Sequence, residues 1–423
     1  MSLFFKECKK VIFSLTFLMY VIVVFAMYSS QYGSDKEALV KPREGMNDYG
    51  TIAKEVPEIL MPKAIEGLVN EYLSGSFTAY PIGFYKNVKL NEKKSRELCD
   101  IIYELSGITK EQLDSFDDYV EGGGMTAVPD GNGGYSMVIN EPVLPEINIP
   151  DDLTYERFRE LMRQADRIIG GGSNYSDDYI IGHFSRIPMT YEDALEEYNA
   201  VIYEEKISPA YARLFCDYMC IDLSIMPVFV AAALAGKDKK SRIEQLIYSR
   251  KISSARLVLT RFAALIFVML IPVICMVIHA QVGVCEIYKG YESDMLAFAK
   301  YSAMWLLPNI LLAAAVGMLL TEIFSPLIAI FVQGAWWFGG IFASSGGLTG
   351  SITSFVLVPR HNSLYDADRF AETFRQFTFN RIFYTVLAFA LLAVTVAVYE
   401  IKRRGGFNGL FGNGKNNADK SAA

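Results

Sequence analysis

The sequence predicts a mainly α protein. It is a six-helix transmembrane bundle, with a large, mostly helical extracytoplasmic domain inserted between spans 1 and 2 and re-entrant outer helices between spans 5 and 6. Three observations predict this. Uncharged apolar stretches recur at lengths of about 20 residues, which at ~1.5 Å rise per residue cover the ~30 Å hydrocarbon core of a bilayer. Charge is split along the chain: residues 31–213 hold 33 acids against 18 bases, and the remaining 240 residues hold 14 against 22. Finally, the stretch from Gly236 to Arg261, GKDKKSRIEQLIYSRKISSARLVLTR, places eight Lys/Arg against Asp238 and Glu244 between two apolar segments. Short loops rich in Lys and Arg stay in the cytoplasm, so this loop orients every other segment.

Hydrophobic residues make up 52% of the 423 positions and the mean hydropathy is +0.23. That is too apolar for an ordinary soluble protein and too charged for a bare bundle. An acidic domain carries the wrong field for nucleic acid, and none is expected as a partner. The six cysteines lack CxxC spacing. Cys216, Cys220 and Cys275 fall in or near spans and read as small apolar residues. Cys99 is alone in the outer domain, which leaves Cys285 as its one candidate partner outside. Three histidines without ligand spacing speak against zinc.

Residues 1–31 form a cytoplasmic N-terminus and the first span. VIFSLTFLMYVIVVFAMYSSQ follows Lys6, Lys9 and Lys10; its apolar core is long for a signal peptide, and no small-x-small cleavage pattern follows it. Residues 32–213 then lie outside. Asn91, Thr109, Thr154 and Thr190 each stand before an amphipathic run as an N-cap, and Leu98, Ile101, Ile102 and Leu105 line one face of the first. The Gly/Pro-rich middle, residues 121–152, reads as loop with one short strand. Gly170 to Gly172 read as a turn, because no strand–loop–helix setting makes them a phosphate cradle. Asp177 with Asp178, and Asp151 with Asp152, are either solvated loop acids or cation ligands. No nucleophile–base pair has supporting spacing, and no enzymatic activity is expected of this chain.

Residues 214–404 hold spans 2 to 6. The second runs from about Leu214 to Ala235 with Asp217, Asp222 and Pro227 inside it. Asp222 lies about two turns in from Arg213. It is either solvated at the outer interface or faces a partner or a water-filled path, and it is the candidate polar pathway residue. Phe262 to Val284, with Pro272 and His279, is the third span, and Tyr301 to Leu320 the fourth. From Ile323 to Pro359 no charge occurs for 37 positions, which as one helix would reach ~55 Å. The glycines of SSGGLTG, 344–350, must break it, giving a fifth span at about 327–345 and then a hairpin or short helix dipping back from outside. Trp336 and Trp337 read as packing residues. YDADRFAETFRQFT, 365–378, aligns Phe370, Phe374 and Phe377 as for a helix lying on the outer surface. Arg360, Arg369, Arg375 and Arg381 there run against the charge rule, which is weakest for longer loops. Ile382 to Tyr399 is the sixth span, stopped by Lys402, Arg403 and Arg404. Residues 405–423 read as a disordered cytoplasmic tail. GLFGNGKN within it has the Gly414 and Lys415 of a P-loop, but Asn416 stands where a magnesium-holding hydroxyl belongs, and no strand precedes it.

The basic loop has helical spacing, with Ile243, Leu246 and Ile247 on one face and Arg242, Gln245 and Arg250 elsewhere. Such a helix either lies on anionic lipid or docks a soluble partner. With RIEQLIYSRKISSARLVLTRF at 242–262, the layout resembles the permease subunit of ATP-binding-cassette transporters of the type-2, exporter branch. PRHNSLYDADRFAETFRQFTFNRIFYT is similar to members with re-entrant outer helices. The resemblance implies a coupling helix at 237–256 that docks on a separate ATPase subunit through Arg242, Glu244, Gln245, Leu246, Tyr248, Ser249 and Arg250. ATP and magnesium would be bound by that partner, with no cofactor in this chain. A second permease copy or a paralogue would complete the path, in the plasma membrane of a bacterium, among membrane lipids, with both termini cytoplasmic. The alternative class is a membrane-anchored sensor or accessory protein whose outer domain binds a ligand. It requires a cytoplasmic output module, which the polar, Gly-rich tail does not offer.

Overall fold

The computed structural model describes residues 3–33, 39–79, 86–116, 125–129, 135–139, 144–240, 247, 249, 251–343, 355–361 and 363–405. They are mainly helical and divide into two compact units, Pro42–Ala194 and Met1–Lys41 with Leu195–Ala423. The chain begins with α1 (Leu3–Ile12) and α2 (Leu15–Met27), the latter ending in a π-helical turn, Tyr28–Tyr32. Next come β1 (Thr51–Ala53), α3 (Pro57–Ser74), β2 (Phe77–Ala79), β3 (Lys86–Val88), α4 (Glu92–Ser106), α5 (Lys110–Asp114), β4 (Met125–Pro129), β5 (Tyr135–Ile139), α6 (Tyr155–Ile169), α7 (Ile180–Phe184), β6 (Arg186–Pro188) and α8 (Tyr191–Asn199). The chain then forms α9 (Ser208–Leu223), α10 (Met226–Lys240), α11 (Ser254–Ile287), α12 (Ala297–Ile323), α13 (Pro326–Ala343) and α14 (Ala367–Arg403).

In the Pro42–Ala194 unit, β1 pairs antiparallel with β6, Thr51 opposite Pro188 and Ala53 opposite Arg186. The two ends of the unit therefore meet, as an inserted domain requires. The helices start where the sequence places caps. Asn91 Oδ1 accepts from Lys94 N at 3.0 Å, Thr154 Oγ1 from Arg157 N at 3.2 Å and Thr190 Oγ1 from Asp193 N at 3.1 Å, while Thr109 and Gln112 cap each other. Leu98, Ile101, Ile102 and Leu105 of α4 are all buried, in one core with Phe158, Leu161 and Met162 of α6 and Leu60, Ile65 and Leu68 of α3. Each such side chain contributes roughly 1.5–3 kcal/mol over exposure. Gly67 lets α3 meet α7, since a Cβ there would stand 2.6 Å from Phe184 Cε1. In the middle stretch the expected single strand is a hairpin: β4 pairs with β5, Met125 opposite Ile139 and Pro129 opposite Tyr135. Two short β-prone runs flank PDGNGG, and that hairpin signal outweighs the glycine content that favoured loop. Gly170, Gly171 and Gly172 all have positive φ and form a turn, in which Asp166 Oδ1 accepts from Ser173 N at 2.7 Å. Asp177 is held by Arg159 at 2.6 Å and Arg163 at 2.9 Å.

In the other unit, five helices among the described residues are long and apolar enough to cross a membrane: Leu15–Tyr32, Ser208–Lys237, Ser254–Ile287, Ala297–Ile323 and Ala367–Arg403. This is the layout of a multi-pass membrane protein. Pro326–Phe342 is a shorter apolar helix. The outward faces are apolar, including Leu18, Ile22 and Phe25 of α2 and Phe267, Ile271 and Ile278 of α11. α10 and α12 cross closely at Gly317, where a Cβ would lie 2.7 Å from Ala231 Cβ. The span Ser208–Lys237 is interrupted at Ser224–Ile225, between α9 and α10. Pro227 has no N–H to give to the preceding turn, and the helix breaks just before it. Residues 365–378 do not form a separate surface helix: α14 is one helix of 37 residues, Ala367–Arg403. No Gly or Pro interrupts that stretch, and Phe370 and Phe377 are buried against Trp305 instead of lying on a surface. All six cysteines are free thiols, Cys99 and Cys285 included.

Candidate functional site

The segment before α14 is not helical at Val356–Val358, yet all three side chains are buried in the bundle. Backbone away from water must find its hydrogen bonds within the protein. Here α14 supplies the donors. Asn380 Nδ2 donates to Val356 O at 2.8 Å, Arg381 Nη2 donates to Val356 O and Leu357 O at 3.4 Å each, and the Tyr384 hydroxyl donates to Phe355 O. From α9, Asp217 accepts from Arg360 Nη2 at 3.0 Å and from His361 N at 2.8 Å. Arg213, also on α9, pairs with Glu205 through both terminal nitrogens and donates to Leu364 O at 3.1 Å. The segment is thus strapped between α9 and α14.

Arg381 also reaches inward. It is 3% exposed, donates through Nη1 to Asn309 Oδ1 at 2.9 Å and Trp305 O at 3.2 Å, and lies over the rings of Phe377 and Tyr384. Asn309 Nδ2 passes the chain on to Ser224 Oγ at 2.7 Å and Cys220 Sγ at 3.0 Å. The α9–α10 break leaves carbonyls without helical donors. Gln333 Nε2 covers Ser224 O at 2.7 Å and Trp337 Nε1 covers Ile221 O at 2.6 Å. One buried arginine, two asparagines and the capped break therefore join α9, α12, α13, α14 and the strap. The arrangement fixes a positive charge in the bundle core and holds the break in one geometry. Among the described residues no group of three His, Cys, Asp or Glu is placed to hold a metal ion.

Of the residues singled out from sequence, Asp222 sits in the last turn of α9, one residue short of the break, and is buried. Ser249 is exposed in a turn. Arg242, Glu244, Gln245, Leu246, Tyr248 and Arg250 lie outside the described residues, as do Gly414, Lys415, Asn416 and the SSGGLTG stretch. The far flank of the basic loop, Ile252–Ser254, is described and tied down. Arg403 donates to Ile252 O, Ser254 Oγ donates to Glu400, and Ser253 caps α11 by accepting from Arg256 N at 3.2 Å. Lys402 pairs with Glu322 at the end of α12 (3.0 Å), and Arg261 on α11 faces Glu7 of α1 at 3.6 Å. His279 meets the Tyr28 hydroxyl at 2.6 Å, and Trp337 is a donor as well as a packing residue.

Sequence reasoning missed Arg381, Asn309, and the pairs Asp217–Arg360 and Arg213–Glu205. A signal existed: Arg360 and Arg381 ran against the charge rule for loops, and both are turned into the bundle rather than left in a loop. Neither a protein-family model, nor a curated protein, nor a solved structure matches this chain.

Proposed function

We propose that the chain is the transmembrane permease subunit of an ATP-binding-cassette transporter of the type-2, exporter branch, driven by ATP hydrolysed on a separate chain. The observation that supports this reading best is the anchorage of the basic loop. Its far flank, Ile252–Ser254, is fastened to the end of α14, and α14 in turn is fastened to the end of α12 through Lys402–Glu322. In this reading α13, 18 residues and ~27 Å long, is the fifth of six crossings. Both termini and the loop are then cytoplasmic, and the Pro42–Ala194 unit is outside.

An ATPase gripping residues 242–250 would pull on α11 directly and on α14 and α12 through these ties. A docked amphipathic segment buries apolar residues in a groove while its charges fix register. The path itself would form with a second copy or a paralogue.

Co-purification from the native membrane is expected to bring down a stoichiometric ATPase. Glu244→Lys is expected to remove it, or to uncouple hydrolysis from transport, at unchanged expression. Recovery of a kinase-like partner instead would favour the sensor class. A Ser249→Cys variant labelled by an impermeant maleimide from outside intact cells would overturn the topology.

A further inference from the structure

We propose that Asp222 is a proton-binding carboxyl built into the membrane-crossing part of the chain. This rests on α9 and α10 crossing a bilayer and does not depend on an ATPase. Asp222 follows Ser208, the start of the span, by 14 residues, about 21 Å of helix, and precedes Lys237, its end, by 15, about 22 Å. It is thus near the middle of the span and not at an interface. It is 8% exposed, and its Oδ2 is enclosed with no hydrogen-bond partner.

Among the described residues, the following ionisable side chains of the neighbouring helices have partners of their own. From α2, Tyr20 stands within electrostatic reach, but its hydroxyl donates to Met269 O at 3.1 Å. From α14, Arg381 is taken by Asn309, Asn380 and the strap, and Lys402 by Glu322 of α12. Arg261 of α11 faces Glu7 of α1, and Asp217 one turn back on α9 has Arg360. The sequence of α13 holds no ionisable residue.

An ionised carboxylate here would be an uncompensated buried charge, among the costliest things a membrane helix can hold. A metal cation would need several more oxygens, and no group of three His, Cys, Asp or Glu is placed to supply them among the described residues. One proton removes the charge and gives the carboxyl a donor of its own. The position also gives the proton something to act on. The main-chain carbonyl of Asp222 accepts from Ile225 N at 3.1 Å, so the residue is part of the break that joins α9 to α10. Gain or loss of the proton changes the charge beside that hinge.

The test is infrared spectroscopy of the full-length chain in lipid nanodiscs at pH 7, reading the C=O stretch of protonated carboxyls. Wild type minus Asp222→Asn is expected to show the loss of one such band, and wild type minus Asp217→Asn no loss. No loss in the Asp222→Asn difference would overturn the proposal. Should that variant fail to accumulate, Asp222→Glu keeps the carboxyl and is expected to move the band; an unmoved spectrum would overturn it equally. No ATPase is present in the nanodisc, so the outcome is independent of whether one docks.

Discussion

Asp177 and Asp217 each face arginine, in opposite surroundings. In the Pro42–Ala194 unit Asp177, half exposed, takes Arg159 at 2.6 Å and Arg163 at 2.9 Å. In the bundle Asp217, 1% exposed, takes Arg360 at 3.0 Å and the N–H of His361 at 2.8 Å. The exposed cluster competes with water and salt, and such pairs are worth up to about 1 kcal/mol. The buried pair has no water to fall back on. Its net contribution is modest, because both ions were desolvated to form it, but removing one partner strands the other at a cost of about 3–5 kcal/mol. One unit therefore tolerates charge changes that the other does not. The same division appears in packing: the small unit is organised by helix caps and a core of Leu, Ile and Phe, the bundle by a few polar groups among apolar helices.

The contrast is broken most severely at Arg381. Arg381→Met strips donors from Asn309, Asn380 and the carbonyls of residues 356 and 357. It is expected to lower the stability of the detergent-solubilised chain by about 3–5 kcal/mol, read by thermal unfolding. A loss below 1 kcal/mol would mean that the strap does not rely on this arginine. Next is Asp217→Asn, expected to cost about 3 kcal/mol. Adding Arg360→Met should return most of that loss, and a double-mutant cycle with no coupling would remove the pair from the account.

A smaller effect sharpens the comparison from the side of the Pro42–Ala194 unit. Glu71 is largely buried and accepts from the Tyr175 hydroxyl at 2.8 Å and from Thr78 N at 3.0 Å. Burial pushes its carboxyl above the ordinary 4.5, and the two donors pull it part of the way back. The folded state therefore binds this proton more tightly than the unfolded chain. The associated stability is present below the ordinary value and is lost as pH rises through the raised one. Hydrogen exchange at the Leu68 and Val69 amides, corrected for intrinsic rates, is expected to show protection falling over that window. The fall should vanish in Glu71→Gln, and an unchanged slope there would assign it to another group. Least of all is Asp177→Asn, expected to cost under about 1 kcal/mol and to lose even that in high salt.

Much of the architecture is legible because its causes are local. Asn91, Thr109, Thr154 and Thr190 announce helices by capping chemistry, and a run of uncharged residues announces a span by length. What escaped depends on residues brought together from far apart. Nothing near Arg381 in sequence says that Asn309 will meet it, or that Ser224 will close the chain. The α9–α10 break was half legible: Pro227 marks it, but the Gln333 and Trp337 caps come from another helix. The separate surface helix expected at 365–378 is the start of α14 instead: aligned phenylalanines describe a helix against any apolar neighbour, and Phe370 and Phe377 find Trp305 while Phe374 stays exposed. The docking residues around Glu244, the exposed Ser249 among them, remain an expectation from sequence.

α14 spans 37 residues without a break, about 55 Å, while a hydrocarbon core is about 30 Å thick. Near one end Glu400 and Arg403 hold the flank of the basic loop, and toward the other Asn380, Arg381 and Tyr384 hold the strap. Because the ladder of backbone bonds between those two ends is unbroken, under the proposed docking a tug at the basic loop would reach the strap as one pushrod stroke, with no relay of side-chain rearrangements.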